Sequence, residues 1–371
     1  MKIILVINVD FSLRHFLLPL MRAARARGHE VIGACAEGPL LDDVRAEGFR
    51  IIAMPFVRRA APLAQWRALW ALVAMLRAEK PDLVHGHMPI SGLLARFAAK
   101  IAGVPRIAYT CHGFLFNQPG PLPRRAAALL LEFLAGQITD IYLTVSEREA
   151  AEARRLLISR HAIAIGNGRD PARFRPDPAA RARIRAELGV PADRVVIIII
   201  ARLVALKGFP DLAVAMGRIP DAELWVVGER LATDRGPDVV AMLRAAGLGE
   251  RLRLLGYRAD TEALLAAADI ATLPSDFEGL PMSVIEAMLT GLPVVGTPAG
   301  GMPEQIVASE TDDQTGLIVP YHDPDALTAA LQRLVGDAGL RQRMGAAGRA
   351  RALARYTEAA VLSRTLDLLG L

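Results

Sequence analysis

At 371 residues the chain exceeds what one hydrophobic core usually organises, so two domains are expected. With 53% hydrophobic and 22% charged residues, composition excludes a disordered or low-complexity protein and allows full cores. The net charge of +5 is unevenly divided: through Asp170 there are 22 Lys/Arg against 14 Asp/Glu, and beyond it 22 against 25. A basic first half calls for an anionic partner on that side. No nucleic-acid motif or interleaved aromatic platform accompanies it, so nucleic acid is set aside in favour of an anionic membrane leaflet with a phosphate-bearing acceptor. Cys35 and Cys111 lie too far apart for a disulfide framework, which fits a reducing cytosol. The opening run 1–7 is too short for a secretory signal and reads as a strand. No apolar run approaches the roughly 18 to 20 residues that span a bilayer, so a soluble or peripheral cytoplasmic protein is expected.

Strand-like apolar runs alternate with amphipathic helical ones from the start. Strands are predicted at 3–8, 30–36, 50–54, 82–87, 106–110 and 141–145, and helices at 14–27, 62–77, 93–102 and 123–137. Such alternation predicts a parallel sheet covered on both faces. Asn167-Gly168-Arg169-Asp170-Pro171 breaks the pattern, and a domain boundary is placed there. A second series follows, with strands at 223–227, 252–255, 269–273, 293–296 and 315–319 and helical sequence from 340 to 371. The expected fold class is α/β, with domains at 1–168 and 169–354.

Two segments of the second half carry chemistry. The run Val195 to Ile200 is apolar and β-branched, as in a central parallel strand buried on both faces. It empties into a turn bearing Arg202 and Lys207, at the strand end where open α/β sheets bind anionic ligands. Arginine offers a planar fork to phosphate oxygens and lysine a compact charge; read alone, both are also ordinary loop cations. Downstream, Asp276-Phe277-Glu278-Gly279-Leu280-Pro281 leads into a helix containing Glu286. Glu286 lies among Val284, Ile285, Ala287 and Met288, where an ionised side chain is costly unless partnered. On a helix starting near Pro281 it sits about 7 to 8 Å along the axis, so both carboxylates can face one ligand. The alternative is that Glu278 ends a strand and Glu286 is a polar position on an amphipathic helix.

Taken together, Arg202, Lys207, Glu278 and Glu286 resemble the donor site of the family 4 glycosyltransferases of GT-B fold. The resemblance covers essentially the whole chain. It implies two Rossmann-like domains whose parallel sheets face an interdomain cleft, the last helix, about 355–371, joining the first domain. It further implies that the first domain binds acceptor and the second a nucleotide sugar, UDP-linked by family frequency, with retention of configuration and without a required metal. Arg202 and Lys207 then hold the diphosphate, Glu278 the sugar and Glu286 the ribose hydroxyls. Amides of Glu278, Gly279 and Leu280 add dipoles, the turn at Tyr257 meets the base, and Asn167 and Gly168 match an interdomain element. His112, in Tyr109-Thr110-Cys111-His112-Gly113-Phe114, matches a histidine that contacts the donor sugar; His112, Arg202, Lys207 and Glu278 are the catalytic candidates. Many members carry a Gly-Gly pair in the first loop, where this chain has Asn8 to Arg14, with Ser12 and Arg14 as the available contacts. The Phe11-Ser12-Leu13-Arg14-His15-Phe16 opening and the segment around His112 resemble bacterial enzymes that extend polyprenyl-diphosphate-linked or cell-surface glycans.

Other motifs have plainer readings. His85-Gly86-His87 has a spacing that could present two imidazoles on one face but no third ligand nearby in sequence. Cys111 and His112 should point to opposite faces of a strand, which argues against a thiol–imidazole dyad. Asp323-Pro324-Asp325 is read as helix capping, not as a metal motif. Two stretches of the first half, Phe56-Val57-Arg58-Arg59 with Trp66, Trp70 and Met75, and Arg124-Arg125 leading into Leu129 to Leu134, are aromatic or aliphatic with basic flanks. They either pack against a sheet or dock on a membrane interface. A GT-B sugar epimerase and a noncatalytic nucleotide-sugar-binding protein are the rival functions. A nicotinamide dehydrogenase is disfavoured because no G-x-G-x-x-G follows the first strand.

Overall fold

The computed structural model describes every residue except 58–60, 232–233 and 235. It divides the chain into two compact units, Met1–Gly166 with Ala360–Leu371, and Asn167–Ala359. The first unit holds a seven-stranded sheet of β1 (Lys2–Val6), β2 (Glu30–Cys35), β3 (Arg50–Ala53), β4 (Leu83–His87), β5 (Arg106–Cys111), β6 (Ile141–Thr144) and β7 (Ile163–Ala164). Their order is β3-β2-β1-β4-β5-β6-β7, and each pairing is parallel. The reversal after β3 puts β1 beside β4, so that their carboxyl ends meet at the switch point of a doubly wound sheet. One core cluster joins β1 to the first helices and to Leu366 and Leu369 of the last helix; another joins the sheet to the helices Pro62–Glu79 and Pro89–Ala102.

The second unit has β8 (Val195–Ile200), β9 (Ala222–Val227), β10 (Leu252–Gly256), β11 (Ile270–Leu273), β12 (Val294–Gly296) and β13 (Gly316–Ile318), in the order β10-β9-β8-β11-β12-β13. The Val-Val-Ile-Ile-Ile-Ile strand lies in the middle, flanked by β9 and β11, as its unbroken apolar run requires.

Most elements fall within two residues of their sequence reading, with instructive departures. The first helical run begins at Asp10 rather than at 14 and contains a π-helical segment, Leu13–Leu17, before the helix Leu18–Ala26. Strand β11 closes at Leu273, so Glu278 stands in the following turn and the alternative that it ends a strand is removed. Helices Glu147–Arg155 and Pro178–Glu187 were missed because polar and alanine residues dominate them; the second buries only Ile184 and Arg185.

Candidate functional site

In the second unit the loop leaving β8 is stitched to the loop leaving β11. The amide of Asp276 donates to the carbonyl of Leu206 at 2.9 Å. Gly208 has φ +77°, and a Cβ there would lie 1.9 Å from the carbonyl oxygen of Pro274. Only glycine admits that approach, and it is what brings Lys207 over the Glu278 turn. Lys207 Nζ donates to Glu278 Oε1 at 2.6 Å, both side chains being largely buried. Arg202, on the same loop, is 53% exposed and pairs with Asp234 at 2.7 Å. Of the four expected donor-site side chains, Lys207 and Glu278 touch each other, while Arg202 is held by Asp234, an acid the sequence reading did not consider.

The turn bearing Glu278, Gly279 and Leu280 is clamped from two sides. Gly301 N donates to Gly279 O at 2.6 Å. Gly300 has φ +53° and so little room that a Cβ would lie 2.1 Å from Glu278 O. On the other side Asn167 Nδ2 donates to Leu280 O at 2.7 Å, so this asparagine orients the turn. Gly168 follows in tight packing, a Cβ there lying 2.7 Å from Thr357 O. The turn opens the helix Met282–Thr290, nearly all of which is buried. Glu286 is buried with it, and its Oε1 accepts from Arg169 Nε at 2.6 Å. Burial raises the Glu286 pKa above the ordinary carboxylate value, with Arg169 opposing the shift. Arg169 was missed as a site residue because Asn-Gly-Arg-Asp-Pro reads as a loop; the signal available was Glu286 itself, which needed a cation.

Beside these loops, Leu203, Val226, Gly228, Glu229, Arg230, Leu254 and Gly256 line an open pocket of about 320 Å³ at the carboxyl ends of β8, β9 and β10. Glu229 was also missed, although like Arg202 it stands just past a buried strand; its Oε1 accepts from the amide of Tyr257 at 3.2 Å. The Tyr257 side chain is exposed next to the pocket wall. Asp323, the other acidic motif, accepts from Ala326 N at 2.8 Å and caps the helix Pro324–Gly336, as read.

In the first unit His112 follows β5, and His87 Nδ1 lies 3.2 Å from His112 Nε2. His85 Nε2 lies 2.7 Å from Thr110 Oγ1, with its ring centroid 4.0 Å from that of His87. Burial pushes the His85 imidazole down to about 3 and His112 to about 4, and lowers His87 well below its ordinary value. The trio is therefore neutral at physiological pH, able to donate and accept hydrogen bonds without carrying charge. Cys111 packs with Tyr109 and Tyr142 instead of meeting His112. Of the first-loop candidates, Ser12 is buried and Arg14 Nε donates to Asp43 at 2.9 Å. Arg58 and Arg59 lie outside the described residues.

Residues 180–351 match the family model described as glycosyl transferases group 1, and residues 13–168 match that of the glycosyl transferase 4-like domain. The D-inositol 3-phosphate glycosyltransferase of Xylanimonas cellulosilytica is 30% identical over 90% of this chain and 86% of its own length. The UDP-Gal:alpha-D-GlcNAc-diphosphoundecaprenol alpha-1,3-galactosyltransferase of Escherichia coli is 29% identical over 82% of this chain and 79% of its own length. Among solved structures, the Anabaena HepE protein in complex with UDP and glucose superposes with a TM-score of 0.82 over 100% of this chain and 99% of that one, at 20% identity, which speaks to the fold. With two doubly wound parallel sheets and these matches along both halves, the chain belongs to the family 4 glycosyltransferases, the group 1 glycosyl transferases of GT-B fold.

Proposed function

We propose that this glycosyltransferase moves a hexose or N-acetylhexosamine from a UDP-sugar to a lipid-linked or glycan acceptor in bacterial surface polysaccharide synthesis, with retention of anomeric configuration. The second unit takes the donor and the first unit the acceptor. The observation that carries the reading is the Lys207–Glu278 pair at the exit of β8, a cation and a carboxylate held together by two glycine-dependent turns. UDP and the lipid-linked acceptor are favoured by what relatives are named for: the E. coli enzyme uses UDP-Gal and a diphosphoundecaprenol-linked sugar, and HepE binds UDP.

In the reaction the acceptor oxygen bonds to the anomeric carbon as the bond from that carbon to the β-phosphate oxygen breaks. The departing diphosphate gains negative charge and takes the acceptor's proton. Fixed positive charge aimed at those oxygens lowers the barrier, and Lys207 and Arg202 are assigned to that task. The amides of Gly279 and Leu280, leading into the helix Met282–Thr290, contribute oriented dipoles. Glu278 contacts the sugar and Glu286, oriented by Arg169, the ribose. Glu229 and the Tyr257 turn border the base. His112 contacts the sugar from the first unit as a neutral hydrogen-bonding group, consistent with its lowered pKa. Association of the enzyme with the inner face of the membrane follows from a lipid-linked acceptor; among the described residues no helix is long and apolar enough to cross a bilayer.

The test is a panel of UDP-, GDP- and ADP-sugars scored by thermal stabilisation and then by acceptor-dependent nucleotide release. A ligand at about 100 times its dissociation constant stabilises by about 2.7 kcal/mol. Arg202→Ala is expected to lower turnover by about 10²–10³ with little effect on folding, since that side chain is half-exposed. A near-normal Arg202→Ala rate would refute the assignment. An isomerised donor without acceptor would instead identify an epimerase, and nucleotide-sugar binding without release a noncatalytic protein.

A further inference from the structure

The helix Leu122–Gly136 is built inside out. Its fully buried residues are Glu132, Ala135 and Gly136, with Ala128 and Leu129 partly buried against the core, whereas Leu122, Leu130, Leu131, Phe133 and Leu134 face solvent, Leu130 at 58% exposure. The inversion has a local cause: Arg96, fully buried, forks onto Glu132 with bonds of 2.7 and 2.9 Å, and Tyr142 donates to the same carboxylate. The one acid of this helix is thereby consumed inside the fold. A neighbouring helix packs an ordinary apolar face, Ala68, Leu72, Val73 and Leu76, into the core, yet also exposes apolar residues. On Pro62–Glu79 the exposed residues include Leu63, Trp66 and Trp70, the two indoles meeting edge to face with centroids 5.6 Å apart. The helix Pro89–Ala102 packs against both, so the three form one layer.

Charge identifies the occupant. Between Met54 and Asp140 the sequence has ten Lys/Arg against four Asp/Glu. All four acids are engaged within the fold: Glu79 by Lys2 and Arg50, Asp82 by the Lys2 amide, Glu132 by Arg96, and Asp140 by the Ile107 amide. Arg67, Arg77 and Arg124, by contrast, are exposed on this layer. An apolar face with a cationic margin opposes a second copy of itself, because like-charged rims would meet across the contact. It suits an anionic lipid surface, where leucines enter the acyl boundary, tryptophans lie at headgroup level and arginines meet phosphate.

We infer that the outer face of the helix Leu122–Gly136, extended by Leu63, Trp66 and Trp70, is a docking surface for an anionic phospholipid bilayer. The assignment deepens the reading of a lipid-linked acceptor and rests on that reading only for its purpose. It is tested on the full chain by sedimentation with phosphatidylcholine vesicles, with and without phosphatidylglycerol. Wild type is expected to pellet with the anionic vesicles at low salt, to be released at high salt, and to ignore phosphatidylcholine alone. Leu130→Glu/Leu134→Glu is expected to weaken partitioning by at least about tenfold, since each buried leucine contributes more than a factor of ten. Its thermal unfolding and its nucleotide release with a water-soluble acceptor should match wild type. If that variant does not fold, Arg67→Glu/Arg124→Glu supplies the comparison, losing affinity for the anionic vesicles only. Wild type that ignores anionic vesicles, equal binding to both lipids, or variants that bind as wild type overturns the inference. So does a lipid-free dimer that Leu130→Glu/Leu134→Glu dissociates. Because vesicle binding is read without donor or acceptor, failure here leaves the nucleotide-release result standing, and the reverse holds.

Discussion

Lys207 and Glu278 are 71 positions apart in sequence and 2.6 Å apart in space. Glu286 and Arg169 are separated by 117 positions and meet at the same distance. Each member of the first pair was legible because it stands beside a recognisable structural signal, a buried strand or a Gly-Pro turn, but the contact between them was not. The second was legible on one side only: a carboxylate among Val284, Ile285, Ala287 and Met288 demands a cation, but nothing local says which one. Removing that cation gives a directional prediction. The folded pKa of Glu286 is already raised by burial, with Arg169 opposing, so Arg169→Met should raise it further. A carboxyl with a raised folded pKa contributes stability below its unfolded pKa, and the contribution shrinks as pH rises toward the folded value. The deficit of Arg169→Met relative to wild type should therefore be small below about pH 4.3 and grow with pH. At neutral pH it should approach the roughly 3–5 kcal/mol of a broken buried pair. Urea unfolding of both proteins from pH 4 to 8 measures it, and a deficit that ignores pH would show that Glu286 does not carry the effect.

The elements that hold the site do so through backbone conformations that side chains would spoil. Gly208 ends the 3-10 turn Ala205–Lys207 at φ +77°, and its Cα faces the Pro274 carbonyl with no room for a methyl group. Gly208→Ala must separate the β8 and β11 loops, so Lys207 should lose its contact with Glu278. Expected outcomes are a loss of about 1–3 kcal/mol of stability and a fall in acceptor-dependent nucleotide release of at least about tenfold. The last figure is a floor, because a misplacement near 1 Å can cost about a hundredfold. Gly247→Ala is the matching control: its φ is +71°, yet a Cβ there meets nothing within 4 Å. That variant should lose stability while keeping turnover, and equal turnover losses in both would mean that strain alone, not loop placement, is responsible. Strands and long helices were legible because burial writes a period into the sequence. The Gly300-Gly301 clamp was not, since a positive φ after β12 leaves only a glycine pair as its trace. The inverted helix Leu122–Gly136 misleads in the opposite sense: its leucines read equally as core-facing, and only the distant Arg96 explains why they are not.

At the scale of the molecule, the chain's last twelve residues belong with its first unit, Ala360–Leu371 clustering with Met1–Gly166. Sequence periodicity showed a helical tail; only the resemblance implied where it goes, because nothing within residues 340–371 names a partner. The packing supplies the reason. Leu366 and Leu369 are buried in the cluster that contains Ile3, Leu5 and Ile7 of the first strand region. Arg27 donates to Asp367 at 2.7 Å and to the Leu371 carbonyl at 2.6 Å, and Arg106 donates to the Leu369 carbonyl at 2.6 Å. Truncation after Ala359 exposes both leucines' former contacts at about 1.5–3 kcal/mol each, a large share of the 5–15 kcal/mol typical of a whole domain. The loss should be confined. Amides of β1 and β4 are expected to exchange faster by roughly two orders of magnitude or more, since each 1.4 kcal/mol is tenfold. Amides of β8, β11 and β12, in the unit that ends at Ala359, should keep their protection, and a nucleotide sugar should still stabilise that unit. Hydrogen exchange with and without UDP-sugar reads both units in one experiment. Equal loss of protection in the two sheets would mean that they unfold together and that the tail supports the whole chain rather than the unit it packs in.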